Sequence, residues 1–389
     1  MPPKEKELIQ KYRDFSVRFS SRLLSLLVCS EKNDQNFAIS PSRLQNVLVL
    51  LANWARPQIR KEILECVGNE VNSLKEANVL CIKDRLKITP LIDNYIPIIE
   101  TSTFLWVKNE LDIKSEGLTC VSDAFEVILR RVDFTLPETK RIINKAIDEA
   151  SHGLIKEINS ELDPTTEMIL TDILYFKARW EKQFYEEDTK ECIFYGTNGE
   201  EEIPMMKKTD SFLYREAQTC QIIELPYMCM SEQDKFFTMH IYLPKQDYSF
   251  PDVLREIVND GFCLGLQEEE VKLSLPKFTI ESNLDMKNVL VEMGLESILQ
   301  NRNILPILAD DMQIDDIHQK VKIKIDENET EAAALTEVCV VMGGPPGDIV
   351  APIVMNVNRP FMFEIVEEYS NTILFAGIIR NIGNHRNDI

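Results

Sequence analysis

Apolar residues recur every three to four positions near the start of the chain. Phe15, Phe19, Leu23, Leu26 and Leu27 line one side of a predicted helix over residues ~5–29. Ser40 followed by Pro41 marks a second helix start, because Ser can cap and Pro fits the first helical position. Leu44, Val47, Leu48 and Leu51 then share a face. Residues 137–152 predict another helix, with Ile142, Ile143, Ala146, Ile147 and Ala150 apolar and Gly153 as terminator. Strands dominate afterwards. Residues 168–178 are almost continuously apolar, as in a strand buried on both faces. Phe237, Met239, Ile241 and Leu243 alternate, as do Val271, Leu273 and Leu275. Val321, Ile323 and Ile325 alternate with Lys320, Lys322 and Lys324, which predicts a half-buried strand. Residues 361–379 read as a hairpin turning near Tyr369, Ser370 and Asn371. Helices concentrated before residue 160 and strands after it predict an α+β fold rather than alternating βαβ units.

Composition narrows the function. The 389 residues suggest two or three domains on length alone, and 44% hydrophobic content supplies a core. A net charge of −21 opposes non-specific nucleic-acid binding. Lys83, Arg85 and Lys87, the densest basic group, read as a solvated helix face. No apolar run reaches a membrane span. The nine cysteines contain no Cys-x-x-Cys pair, so zinc-site and redox-pair readings fail. Cys29, Cys66 and Cys81 are expected to pack as small hydrophobes. The N-terminus carries no signal-peptide stretch, and the expected location is the cytoplasm or secretion by a non-classical route.

Enzyme chemistry finds little support. His152, His240, His318 and His385 form no metal motif, and His240 reads as a packed or edge-strand residue. Cys263 has the Gly-x-nucleophile-x-Gly spacing of a hydrolase elbow, but a helical stretch precedes it where a strand is required. Asp310, Asp311, Asp315, Asp316 and His318 lack the spacing of a calcium loop and read as solvated. The sequence implies no cofactor, no metal and no catalytic residue.

The segment after Glu329 is different. No Lys or Arg occurs from 330 to 358. The even positions Thr330, Ala332, Ala334, Thr336, Val338, Val340 and Met342 carry no charge, while Glu329, Glu331 and Glu337 fall on odd positions. That is the pattern of a strand with one buried face. The run GGPPG at 343–347 then ends it in an open loop. A linker, an edge strand, or a strand inserted only in another state would each fit.

Residues 326–334 (DENETEAAA) resemble the hinge of the serpins, the serine-protease-inhibitor superfamily. NFAISPS at 36–42 is similar to the start of their second helix. Val132, Asp133 and Phe134, followed by Ile143 and Asn144, match a mid-chain motif. LYFK at 174–177 with Trp180 resembles their central strand. PMM at 204–206, LPKF at 275–278, NRPF at 358–361 and ILFAG at 373–377 complete the series, so the likeness covers about residues 12–380. The intracellular, ovalbumin-type branch is the most similar.

The resemblance implies one domain over residues 1–389 with about nine helices and three β-sheets. It also implies an exposed reactive-centre loop at about 327–357. It implies an endopeptidase inhibitor, not an enzyme, whose partner is a target protease, and which acts as a monomer without nucleic acid or membrane. The protease cleaves the loop, and the loop inserts into the main sheet and drags the protease with it. The hinge would be Glu327, Glu329, Thr330, Glu331, Ala332, Ala333 and Ala334. The sheet-opening region would be Ser40, Asp172, Trp180 and Gln319. The reactive bond falls at Met342–Gly343 or Gly343–Gly344 by counting forward from the hinge, and at Ile349 by counting back from Pro360. A loop without Lys or Arg points away from trypsin-like targets. Met342 suits an elastase- or chymotrypsin-like serine protease, and with Gly343 before the cut it suits papain-like cysteine proteases.

The sequence departs from the family at several places. Glu329 stands where the hinge usually has Gly, which removes a flexible residue where insertion begins. Asp172 and Gln319 stand where the family pairs Asn with His, and are expected to keep a hydrogen bond in altered form. Trp54 replaces a Gly and Ile382 a Pro. Asn328 begins a glycosylation sequon and Cys339 lies on the outward parity of the loop; both are expected to be unmodified.

Overall fold

The computed structural model describes residues 3–29, 35–68, 73–87, 98–156, 162–228, 237–260, 265–312, 314, 317–327, 351–368 and 370–383. The elements run α1 (Pro3–Cys29), β1 (Phe37–Ile39), α2 (Pro41–Trp54), α3 (Pro57–Val67), α4 (Leu74–Lys87), β2 (Ile98–Lys108), α5 (Ser115–Thr119), β3 (Val127–Val132), α6 (Pro137–Ala150) and β4 (Met168–Lys177). They continue with β5 (Lys190–Gly196), β6 (Gly199–Glu216), β7 (Cys220–Pro226), β8 (Phe237–Pro244), α7 (Phe250–Asn259), β9 (Gln267–Pro276) and β10 (Phe278–Asp285). Last come α8 (Lys287–Glu292), α9 (Glu296–Gln300), β11 (His318–Ile325), β12 (Ile353–Asn356), β13 (Phe361–Glu367) and β14 (Thr372–Ile379). Among the described residues this is an α+β fold of nine α-helices and three β-sheets.

The largest sheet has nine strands in the order β1-β14-β13-β8-β7-β6-β9-β12, with β5 also on β6. A three-stranded sheet, β3-β2-β4, and a two-stranded one, β10-β11, complete the set. The central helix α2 buries nearly its whole length, and its Leu44, Val47, Leu48 and Leu51 join Phe15, Phe19 and Leu23 of α1 in the main core. Helix α6 covers one face of β2 and β4, placing Ile143 and Ile147 against Trp106 and Ile173. It ends before Gly153, whose φ of +79° suits a residue without a Cβ. The half-buried strand read from the alternation over 320–325 is β11, which begins two residues earlier: Val321, Ile323 and Ile325 are buried, and Lys320 and Lys322 both reach Glu281 of β10.

Several expectations change. The strand β2 interrupts the helical first half, and α7, α8 and α9 interrupt the strands. In β4, Met168, Leu170 and Ile173 are buried and the remainder half-buried, so the strand is not covered on both faces as read. Every position of β8 is buried, so its alternation separates two covered faces rather than core from solvent. Cys66 and Cys81 are buried as expected, but Cys29, at the end of α1, is exposed. No helix among the described residues is long and apolar enough to cross a membrane.

Candidate functional site

The sheet-opening residues gather around the first turn of α2. Pro41 occupies the first helical position, but Ser40 makes no side-chain cap, and its hydroxyl is buried without a partner. Its peptide group is held instead. Ser40 N–H donates to Gln319 Oε1 at 2.7 Å, and Gln319 Nε2 donates to the Ser40 carbonyl at 2.8 Å. One side-chain amide thus uses both its donor and its acceptor on one residue, at a site where Ser40 and Gln319 are both buried. An unmet polar group there would carry a full desolvation cost.

Arg43 lies one turn further on. Its Nε donates to Asp172 Oδ2 at 2.8 Å and its Nη2 to Oδ1 at 2.5 Å. Thr103 on β2 adds a hydroxyl bond to Asp172 Oδ1 at 2.7 Å. The two charged side chains are only 11% and 7% exposed, and the forked geometry with a third donor compensates their desolvation. The expected bond between Asp172 and Gln319 is therefore not made. The carboxylate is taken up by Arg43 and Thr103, and the amide by Ser40. The first turn of α2 holds β4 through one residue and β11 through another. Arg43 escaped the sequence reading. Its signal was a cation at spacing i, i+4 from Val47, on the apolar face of the helix.

β4 and β11 belong to different sheets. Among the described residues the pairing that links them is one parallel bridge, Leu170 of β4 with Ile317, the residue before β11. The opposite ends are tied through Trp180. Its ring is buried and stacked on Tyr227, with centroids 4.6 Å apart and planes at 12°. Its Nε1 donates to the Asp326 carbonyl at 2.9 Å. Glu327 follows, 4% exposed. Burial pushes its carboxyl pKa up, but bonds from Lys277 Nζ and Thr189 Oγ1, each 2.7 Å, outweigh that and hold it below the ordinary value. The chain is thus pinned immediately before the charge-segregated segment.

The remaining hinge residues Glu329, Thr330, Glu331, Ala332, Ala333 and Ala334 lie outside the described residues. So do Met342, Gly343, Gly344 and Ile349, with Asn328 and Cys339. The chain is described again from 351, and β12 then pairs parallel with β9.

Other candidates resolve into structural roles. His240 is buried between Glu364 on β13, 3.0 Å from Nδ1, and Glu224 on β7, 3.5 Å from Nε2. Burial lowers its pKa, and the two carboxylates more than reverse this, raising it to about 9. Trp54 is fully buried and donates to the Gly117 carbonyl at 2.7 Å. Asp310 pairs with Lys114 and Asp311 with Arg302. Asp315, Asp316 and Cys263 lie outside the described residues, and helix α7 precedes Cys263 while strand β9 follows, the reverse of a hydrolase elbow. The side chains of Lys83, Arg85 and Lys87 on α4 also lie outside them. Among the described residues no group of His, Cys, Asp and Glu is arranged to hold a metal ion.

Comparison with known proteins places this geometry. The family model Serpin (serine protease inhibitor) matches residues 14–382. An uncharacterized serpin-like protein of Thermococcus kodakarensis is 32% identical over 290 residues, 73% of this chain and 66% of that protein, just under two thirds of its length. Plasminogen activator inhibitor 1 of Mus musculus is 24% identical over 391 residues, 97% of this chain and 93% of that protein. Among solved structures, the thermophilic serpin tengpin in its native state superimposes with a TM-score of 0.81 at 21% identity, covering 98% of this chain and 95% of that one. Human thyroxine-binding globulin superimposes with a TM-score of 0.84 at 22% identity, covering 97% and 100%. Over residues 14–382 the chain is a member of the serpin family, whose members are typically protease inhibitors.

Proposed function

We propose that this chain inhibits a non-tryptic serine protease of the elastase or chymotrypsin type as a suicide substrate, with papain-like cysteine proteases as a second target class. The reactive bond is Met342–Gly343 or Gly343–Gly344, and cleavage releases a strand that inserts between β4 and β11. The observation that carries this reading is that, among the described residues, β4 is linked to the β11 segment by one parallel bridge, Leu170 with Ile317 just before β11, with the segment's root at Glu327 beside the other end. Uncharged side chains on the even positions of 330–342, the first of them small, support it, because insertion would bury that face without unpaired charge and with little clash where insertion begins. About 13 inserted residues bonded on both sides would form roughly 26 backbone hydrogen bonds, at about 1 kcal/mol net each. That upper figure exceeds an ordinary folding stability of about 5–15 kcal/mol, so the uninserted state would be a kinetic trap. The chain works as a monomer in the cytoplasm, or outside the cell after non-classical export.

Glu329 favours a second reading, a non-inhibitory binding, storage or chaperone serpin, because a charged, less flexible residue stands where insertion begins. Incubation with elastase, chymotrypsin and papain separates the two. An SDS-resistant complex and a rise in melting temperature after loop cleavage are expected. Clean cleavage by all three with neither change would leave the second reading.

A further inference from the structure

The hairpin of β5 and β6 carries a surface that the insertion chemistry does not use. The register pairs Ile193 with Glu202, Tyr195 with Glu200 and Glu191 with Pro204. Even positions of β5 face the core, where Phe194 is fully buried. The odd positions face solvent, leaving Ile193 40% and Tyr195 51% exposed beside exposed Glu191, Glu200 and Glu202. Between residues 186 and 202 there are seven acidic residues and one basic residue, Lys190. β6 is the one strand paired with β5 among the described residues, and on the other side of β5 the Tyr195 and Thr197 N–H groups bond the Asn358 and Arg380 carbonyls, so the exposed feature is the side-chain face rather than an open backbone edge. Tyr and apolar side chains within a polar rim are the composition of a protein-binding patch.

Its position says which protein would meet it. Thr189, the residue before β5, donates to Glu327 at the start of the charge-segregated segment. Tyr195 N–H, near the other end, donates to the carbonyl of Asn358, beyond that segment, at 2.8 Å. β5 therefore runs between the two roots of the loop, and a protein that grips the loop comes down beside it.

We propose that Ile193 and Tyr195, framed by Glu191, Glu200 and Glu202, form a docking surface for a positively charged face of the protease that takes the loop. This rests on the reading of the loop as protease bait. The acidic frame steers a cationic partner, and the two apolar side chains hold it once water is displaced. The surface sets how fast the loop is taken and leaves what happens after cleavage unaltered.

The test uses full-length protein and α-chymotrypsin, a cationic serine protease, either native or with its surface lysines succinylated. The readout is the second-order rate of loop cleavage, counting trapped and released product together. Glu200→Lys with Glu202→Lys is expected to slow native chymotrypsin about tenfold at low salt, with the difference closing in high salt. The same variant is expected to react faster than wild type with the succinylated enzyme, a gain that misfolding would not produce. Ile193→Ser with Tyr195→Ser is expected to slow native chymotrypsin at both salt concentrations. Equal rates for wild type and both variants would overturn the proposal. So would a wild-type dimer in sedimentation that Ile193→Ser with Tyr195→Ser dissociates, since the face would then belong to a second copy. Trapping is scored separately: cleavage without trapping defeats the inhibitor reading, while the rate comparison still decides the docking surface.

Discussion

Arg43 on α2 and Asp172 on β4 form a buried, two-point ion pair, with nitrogen–oxygen distances of 2.8 and 2.5 Å. Removing either partner strands a desolvated charge. Arg43→Met and Asp172→Leu are each expected to lower stability by about 3–5 kcal/mol. The double substitution, which leaves no charge behind, is expected to recover most of that loss. Urea unfolding of the four proteins measures it. Single variants within about 1 kcal/mol of wild type would mean that the pair is not desolvated in solution.

Gln319 offers a sharper test, because its amide both accepts from and donates to Ser40. Gln319→Glu keeps the acceptor and sets a carboxylate against the Ser40 carbonyl. The expected cost near neutral pH is about 1–3 kcal/mol. Protonation restores a donor, so the gap to wild type should narrow as pH falls toward 4. A gap that widens on acidification would contradict this geometry.

His240 makes stability depend on alkaline pH. Its folded pKa of about 9 stands above the ordinary histidine value of 6.5. Its contribution is complete below 6.5 and is lost as pH rises through 9. That contribution is at most about 3 kcal/mol. Wild type should therefore weaken between pH 7 and 10 more steeply than His240→Gln. Parallel pH profiles from thermal denaturation would refute the assignment.

Gly377 sits on β14 between its antiparallel neighbours β1 and β13, opposite Ala38 and Phe363. A Cβ there would lie 2.3 Å from the Phe37 carbonyl oxygen and 2.9 Å from the Phe363 ring. Backbone at that distance cannot rotate away, so Gly377→Ala is expected to cost about 3 kcal/mol or more. Wild-type stability in guanidinium unfolding would show that β1 shifts freely.

Glu329 governs the proposed partition between trapping and release. Glu329→Gly restores backbone freedom where insertion begins. The fraction of chymotrypsin trapped per cleaved inhibitor should rise, while the rate of loop cleavage stays the same. An unchanged fraction would place the slow step elsewhere.

Element positions were legible where an apolar period or a start signal was clean. α6 and β11 each bury one apolar period, and α2 begins at the Pro41 start signal, though it is buried on nearly every side. β2 was hidden because Glu100, Thr101, Ser102 and Thr103 interrupt its apolar run. β8 misled because its polar parity is also covered, and that covered parity holds His240. At the candidate site, motif order pointed to Ser40, Asp172, Trp180 and Gln319, but not to what each one binds. Asp172 and Gln319 find their partners 129 and 279 residues away. Local pattern carries no information about such pairings, and the strongest of them depends on Arg43, which belongs to none of the motifs.

The Arg43–Asp172 pair also constrains how such a chain can change by single substitutions. An ancestor that acquired one charge without the other would have held an uncompensated ion in its core, a loss comparable to much of a domain's net stability. Such an intermediate is short-lived under selection. The two residues are therefore expected to enter and leave a lineage together, and descendants keeping one while losing the other should be rare. Across serpin genomes the pair would then serve as a single inherited character, marking common descent more reliably than either residue alone.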